Sequence, residues 1–436
     1  MDPFVKRLLM VSPYFVPMNY VGAKRTLHFC RHLPAAGWSS SVVALPASIE
    51  RDPALETLVP NVPMFRGFRG GPVAWAEDLR AQLDTPAPQR PTGAAKAKAS
   101  PPPPADGLLE ALKSASDRYT RYLPWSYAGT VLFALEQRVD VVYVSAGPYS
   151  GLELGHAVAR TLNRPLVVDL RDPWSLEENF QAERSARGQK LVEARERVIF
   201  DRSAAIILNT ESALDAYRSA YAGTPAAARM HCIRNAFDPA LYAAPAALEA
   251  DGPSRPFRIG YYGHLRANKD AVLFLEALAR FLAIAGLSPA DVELTTFGER
   301  TAADDAAAAR FGLAESVVGH PWVPFTRCPE ILGRCDVLLD LMGPRHTLQI
   351  SGKLYDYLAC GRPILSVSPN AEVGRILEDT GAGLWVGNDV GAIAHALGVL
   401  YSERHAPRAL HAARLQPYTA QVATTKLVEL LQEASR

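Results

Sequence analysis

The chain has 436 residues, a formal net charge of +1, 48% hydrophobic residues and 21% charged ones. That length exceeds what one compact core holds, so it predicts two globular domains. The near-zero charge excludes a global field for nucleic acid, and no apolar run approaches the roughly 18–20 residues of a membrane span.

The five cysteines, Cys30, Cys232, Cys328, Cys335 and Cys360, form no CxxC pair and no Cys/His cluster at metal spacing. They read as reduced residues, mostly core, of a cytoplasmic protein. The opening MDPFVKRLLMVSPYF is too short an apolar stretch for a secretory signal.

In chain order, Leu8–Val11 is a buried strand, Ser12–Val21 a loop with two prolines, and Gly22 opens an amphipathic helix that ends near Gly37. A second strand is expected at Ser41–Leu45. This βαβ start predicts a parallel sheet with right-handed crossovers. Residues 85–105, rich in Pro and Ala, cannot bury enough surface to order themselves and read as a mobile surface insertion. The helical region 107–138 carries Tyr119, Tyr122, Trp125, Tyr127 and Phe133. A Tyr/Trp stripe of this kind is usually core, and an apolar acceptor or a membrane surface is the sharper alternative.

Strand–helix alternation resumes with VDVVYVSA, YSGLELGHAVARTLN and PLVVDLRDPW. A charged helix over about 181–202 follows, then AAIILNT, ESALDAYRSAY and MHCIRNAFDP. The Ala/Pro/Gly-rich stretch 243–256 reads as an interdomain linker. A second alternating series has strands near 257–262, 291–297, 336–341, 363–367 and 383–386, and a last amphipathic helix follows Pro417. The expected architecture is α/β, with two Rossmann-like doubly wound domains facing a cleft: 1–245, 257–416, and a C-terminal helix at 417–436. Ligands in such folds bind at the carboxyl ends of the strands.

Two stretches point to phosphate. In IGYYGHLRANKD, Gly263 lets the backbone approach a ligand, Lys269 opens the next helix, and His264 and Arg266 are further donors. In ISGKLYDYLACGRPIL, Ser351 and Gly352 precede a helix whose first turn carries Lys353, with Leu354 beside it. A cation at a helix start holds a diphosphate against free N–H groups. Asp356, one turn on, suits the vicinal hydroxyls of a ribose, although a plain Lys–Asp helix pair is the simpler account.

SGKLYDYLACGRPIL resembles the KLxEYLAxGxPV signature of retaining glycosyltransferases of family 4, which have the GT-B fold. SPYFVPMNYVGAKR is similar to that family's first loop, VVDLRDPW to a stretch of its bacterial members, and IRNAFDP to its IPNGVD turn, with Ala236 where Gly is usual. GYYGHLRANKD matches its GRLxxxKG, and GAGLWV its final GxG turn. The resemblance implies a nucleoside-diphosphate sugar, by default a UDP-sugar, in the C-terminal half. Lys269 and Lys353 would hold the diphosphate and Asp356 the ribose. Leu348 stands where the family has the first Glu of its E-x7-E pair. The N-terminal half would take the acceptor, a small molecule, a glycan or a lipid-linked sugar. There Gly22 would face the phosphates, and Lys24, Arg25, Tyr122 and Trp125 are acceptor candidates. Asp172, just past a strand end, and His156 are candidates for the acid–base role. No metal or other cofactor is expected. The alternatives are a nucleotide-sugar 2-epimerase of the same fold, or a degenerate nucleotide-binding subunit.

Overall fold

The computed structural model describes residues 5–46, 52–67, 107–242, 255–263, 265, 271–298, 300–405 and 412–436. The insertion expected at 85–105 and most of the linker expected at 243–256 lie outside the described residues. The chain divides into two compact units, Met1–Arg234 with Ala420–Arg436, and Asn235–Thr419.

Unit 1 is built on a seven-stranded, all-parallel sheet of order β3-β2-β1-β4-β5-β6-β7. Its strands are β1 (Lys6–Val11), β2 (Trp38–Ala44), β3 (Met64–Arg66), β4 (Val141–Ala146), β5 (Leu166–Leu170), β6 (Ser203–Leu208) and β7 (Met230–Cys232). The central strands β1, β4 and β5 read as near-continuous apolar runs because both faces of a parallel sheet are covered, and every residue of β4 and β5 is buried. The helices are α1 (Val21–His32), α2 (Leu108–Ser114), α3 (Leu123–Glu136), α4 (Ser150–Thr161), α5 (Glu178–Glu183), α6 (Ala186–Arg202), α7 (Glu211–Ala220) and α8 (Pro225–Ala228).

Unit 2 repeats the plan with six parallel strands in the order β10-β9-β8-β11-β12-β13. These are β8 (Phe257–Tyr262), β9 (Val292–Phe297), β10 (Val317–His320), β11 (Val337–Leu341), β12 (Ile364–Val367) and β13 (Gly383–Val386). Its helices are α9 (Ala271–Ala285), α10 (Ala302–Arg310), α11 (Cys328–Leu332), α12 (Gly352–Cys360), α13 (Glu372–Thr380), α14 (Val390–Ser402) and α15 (Ala412–Leu415). One face of this sheet buries Phe274, Leu278 and Phe281 of α9 and Ile393 and Leu397 of α14. The last helix, α16 (Ala420–Ala434), belongs to unit 1 and packs on α1.

Three differences from the sequence reading have local causes. β2 starts at Trp38 rather than Ser41, because Ser40 and Ser41 are buried strand residues whose polarity hides the pattern. β3 and β10 escape the reading because three or four partly exposed residues at a sheet edge carry no periodicity. The charged helix expected at 181–202 breaks at Ser185, whose Oγ accepts the Gly188 N–H at 3.0 Å and caps α6.

All five cysteines are free, and all but Cys232 are buried. No described helix is long and apolar enough to cross a membrane.

Candidate functional site

At the carboxyl end of β8 the chain turns at Gly263, whose φ is +125°. Only glycine takes that conformation without strain. A Cβ built there would also lie 3.0 Å from Lys353 Cε and 3.4 Å from its Nζ. Lys353 is held in this place from two sides. Ser351, the N-cap of α12, accepts the Lys353 backbone N–H on its Oγ at 3.2 Å. The ammonium donates to the Tyr261 hydroxyl at 3.2 Å and lies 4.6 Å from the centre of that ring. Lys353 has no carboxylate partner among the described residues. A partly exposed cation with two donor positions to spare thus stands at the start of a nine-residue helix, beside a glycine that clears the space.

Tyr261 and Tyr262 were not singled out from the sequence, although they precede Gly263 directly. Tyr262 packs on Trp322 with ring centres 4.9 Å apart, and its hydroxyl donates to the Val323 carbonyl at 2.7 Å.

Asp356 departs from its expected place. It is 2% exposed, and its Oδ1 accepts the Tyr242 hydroxyl at 2.6 Å. Burial first, and then the Asp356 charge, push the Tyr242 phenol well above its ordinary range. The carboxylate expected to meet a ribose is instead turned into the interior. Leu354 is fully buried, so its side chain meets no ligand. His264, Arg266 and Lys269 lie outside the described residues.

Unit 1 carries a comparable arrangement. Arg171, the residue before Asp172, sends its Nε to the Ala146 carbonyl at 2.7 Å and its Nη2 to the Gly147 carbonyl. A Cβ on Gly22 would come within 2.0 Å of Arg171 Nη1, and one on Gly147, whose φ is +95°, within 2.8 Å of Nη2. Two glycines, one in the first turn of α1 and one just after β4, therefore make room for one guanidinium, which has no carboxylate partner among the described residues. Gly22 does not stand alone at a helix start; it lies under Arg171.

The loop that carries Arg171 and Asp172 is fixed by a buried carboxylate. Glu196 on α6 is fully buried. It accepts from Ser175 Oγ at 2.6 Å, Ser175 N at 3.0 Å, Tyr217 OH at 3.0 Å and Tyr221 OH at 2.8 Å. Burial raises its carboxyl above the usual range, and these four donors pull it back. Gln181 and Gln189 both donate to the Ser175 carbonyl, at 2.7 and 2.8 Å. Asp172 sits partly exposed at the head of this loop, where its carbonyl and that of Pro173 take the Tyr149 hydroxyl at 3.3 and 2.9 Å.

The other candidates separate. Arg25, expected to meet an acceptor, is 6% exposed. Its Nε donates to Asp169 Oδ2 at 2.7 Å, and its Nη1 and Nη2 to the Arg234 and Ile233 carbonyls at 2.8 Å each. Tyr143 also donates to Asp169. This ion pair is a buried clamp that ties α1 to β5. Tyr122, also expected at the acceptor, is 3% exposed, under the Arg121 guanidinium. Trp125 is 49% exposed on α3, and Lys24 is partly exposed in the first turn of α1. His156 is six residues into α4, on the order of 9 Å along the helix from its start at 1.5 Å per residue. It lines a shallow depression with Arg195, Val198 and Ile199, away from the strand ends. Burial, with Arg202 and Arg160, holds its imidazole below the ordinary range.

The sequence model of the family Glycosyl transferases group 1 matches residues 256–403. No curated protein matches the chain. Among solved structures, the chain is similar to sucrose-phosphate synthase from Thermosynechococcus elongatus, at 14% identity over 98% of each chain and a TM-score of 0.66. It is similar to Anabaena HepE in complex with UDP and glucose, at 15% identity over 98% of this chain and 99% of that one, with a TM-score of 0.62. It is also similar to a glycosyltransferase from Rickettsia africae, at 11% identity over 99% and 98% of the two chains, with a TM-score of 0.64. At such identities the structures speak for the fold alone. Residues 256–403 thus match the Glycosyl transferases group 1 family model, and the chain as a whole has the GT-B fold.

Proposed function

We propose that the chain moves a sugar from a nucleoside diphosphate, UDP in the first instance, to an acceptor hydroxyl with retention of anomeric configuration and without a metal. The observation that carries this reading is Lys353: an ammonium without a carboxylate partner among the described residues, set against Gly263 at the start of α12.

In the reaction, the bond between the sugar's anomeric carbon and the diphosphate oxygen breaks, and the diphosphate leaves with the electron pair. Lys353 and the positive end of the α12 dipole meet that charge as it forms. The acceptor oxygen bonds to the anomeric carbon on the face that the diphosphate left. The acceptor's proton passes to a carboxylate, for which Asp172 is our candidate, or to the departing diphosphate. Among the described residues no group of three His, Cys, Asp or Glu side chains could hold a metal. The lysine and the helix start would take over a metal's task here. HepE was solved with UDP and glucose, which supports UDP as the first donor nucleotide to try.

Asp356 has no open ribose-binding role in this geometry. Either Tyr242 yields its hydrogen bond on binding, or backbone groups hold the ribose.

The test is a panel of nucleotide sugars screened by thermal shift, followed by diphosphate release with and without acceptors. We expect one donor to stabilise the protein and Lys353→Ala to abolish that stabilisation. Unchanged donor affinity in Lys353→Ala would remove the basis of the reading. Release of sugar products that no acceptor changes would favour an epimerase instead.

A further inference from the structure

Unit 1 contains a cavity of about 370 Å³ beside the Asp172 loop. Its size falls in the range of small-molecule sites, and nothing in the donor chemistry uses it. One wall is aromatic: Tyr149 and Trp174 stack with centres 5.2 Å apart and planes at 11°, and Phe180 meets Tyr149 edge-on at 5.9 Å. Phe180 is the member that reaches solvent, at 38% exposure. The lining also carries acceptors and hydroxyls. Asp117 Oδ2 takes the Ser150 N–H at 2.7 Å and so occupies the start of α4. Ser150 is 3% exposed, and its buried Oγ has no hydrogen-bond partner. Glu183 is exposed at the rim.

The cations near the cavity are already engaged. Lys113 pairs with Glu110 at 2.8 Å. Arg184 donates to the Trp174 carbonyl and to Gln189 Oε1, each at 3.0 Å, and lies over the Phe180 ring at 5.4 Å.

We propose that this cavity binds a neutral sugar ring of the acceptor, its apolar face on the Phe180–Tyr149 wall and its hydroxyls on Asp117, Ser150 and Glu183. A carboxylate only accepts hydrogen bonds, so it suits hydroxyl donors. With Asp117 already on the helix start, a phosphate or carboxylate ligand meets repulsion where it would otherwise find a dipole. Burial also raises the carboxyl of Glu153, another lining residue, which its ion pair with Arg195 at 3.2 Å opposes. The Tyr149 hydroxyl, bonded to the Asp172 and Pro173 carbonyls, ties the cavity wall to the proposed base. The inference rests on the glycosyltransferase reading for the word acceptor, but the site itself is a statement about unit 1.

The test uses the full chain and ligand-observed saturation-transfer NMR with methyl glycosides of glucose, galactose, mannose and N-acetylglucosamine. Glucose 6-phosphate is the anionic comparison. We expect at least one methyl glycoside to receive saturation, with affinity at least tenfold weaker in Phe180→Ala. The signal should also be lost in Ser116→Trp, which fills the cavity, while glucose 6-phosphate binds more weakly than methyl glucoside. Phe180 is exposed, so its variant folds even if the filled one does not, and melting temperatures check both. The proposal is overturned if no methyl glycoside gives a signal sensitive to Phe180→Ala, or if the phosphorylated sugar is preferred. Diphosphate release by the same preparation separates the two claims. Release without glycoside binding removes the cavity and keeps the transferase. Glycoside binding without release from any donor does the reverse.

Discussion

The two units handle charge at their strand ends in the same way and bury it in different ones. In unit 1 Arg171 lies over Gly22 and Gly147, and in unit 2 Lys353 lies over Gly263. In both places glycine makes room for a cation that has no carboxylate partner among the described residues. They differ in what is left over. Arg171 gives Nε and Nη2 to backbone carbonyls, whereas Lys353 gives one proton to a phenol. Deeper in unit 1, Arg25 is fully engaged with Asp169 and two carbonyls. A compensated charge holds a fold together, and an uncompensated one at a strand end awaits an anion.

The contrast is broken most strongly at Asp169. Asp169→Ala leaves the Arg25 guanidinium buried without its countercharge. Breaking one side of such a pair costs about 3–5 kcal/mol. The melting temperature should fall steeply, and a variant as stable as the wild type would mean that water or another group satisfies Arg25. Lys353→Met is the opposite case. With no ion pair to lose, its stability should stay within about 0.5 kcal/mol of the wild type. Nucleoside-diphosphate affinity, measured by calorimetry, should drop by about 1.5–3 kcal/mol, on the order of ten- to a hundredfold. A Lys353 variant that loses stability but not affinity would move this lysine into the structural class of Arg25.

Gly263→Ala should mix the two effects. A residue with a Cβ at φ +125° is strained by about 1–3 kcal/mol, and the new methyl meets Lys353 Cε at 3.0 Å. We expect a lower melting temperature together with weaker diphosphate binding, the latter smaller than in Lys353→Met because the ammonium is displaced and not removed. An unchanged affinity would show that Lys353 reaches its ligand along another path.

The alternation of strands and helices was legible because continuous apolar runs such as VVYVSA and VLLDL exist only where both sheet faces are covered. The edge strands β3 and β10 were not, since a few half-exposed residues leave no pattern. Lys353 could be placed from Ser351 and Gly352, because a cap and a glycine announce a helix start. The direction of Asp356 could not, since a carboxylate three residues on lies near the same face whether it meets solvent or Tyr242. Lys24 and Arg25 stood as equals in the sequence. Only the partner of Arg25, Asp169, 144 residues away, separates them. The same holds for Glu196, whose four donors come from two separate stretches of chain, Ser175 and the Tyr217–Tyr221 turn.

The smallest expected effect concerns His156, which is neither a clamp nor at the strand ends. Burial, and after it Arg202 and Arg160, lower its imidazole from the ordinary range, so the fold favours the neutral ring. His231 on β7 is lowered too, by burial and Arg218 against a counter-pull from Glu433. Above about pH 7 both rings are neutral folded or unfolded, and nothing is lost. As pH falls through about 6.5, the unfolded chain binds the protons first and stability declines, until the folded rings also titrate. Glu153 and Glu196 act with the opposite sign, because their raised carboxyls take up protons in the fold before they do in the unfolded chain. Wild type alone therefore cannot display the histidine contribution. The measurement is urea unfolding of wild type and His156→Gln at pH 7.5 and 5.5. The variant should lose less stability than the wild type between those values. An equal or greater loss in the variant would mean that the His156 ring is charged in the fold, which would return it to the list of groups able to donate a proton at neutral pH.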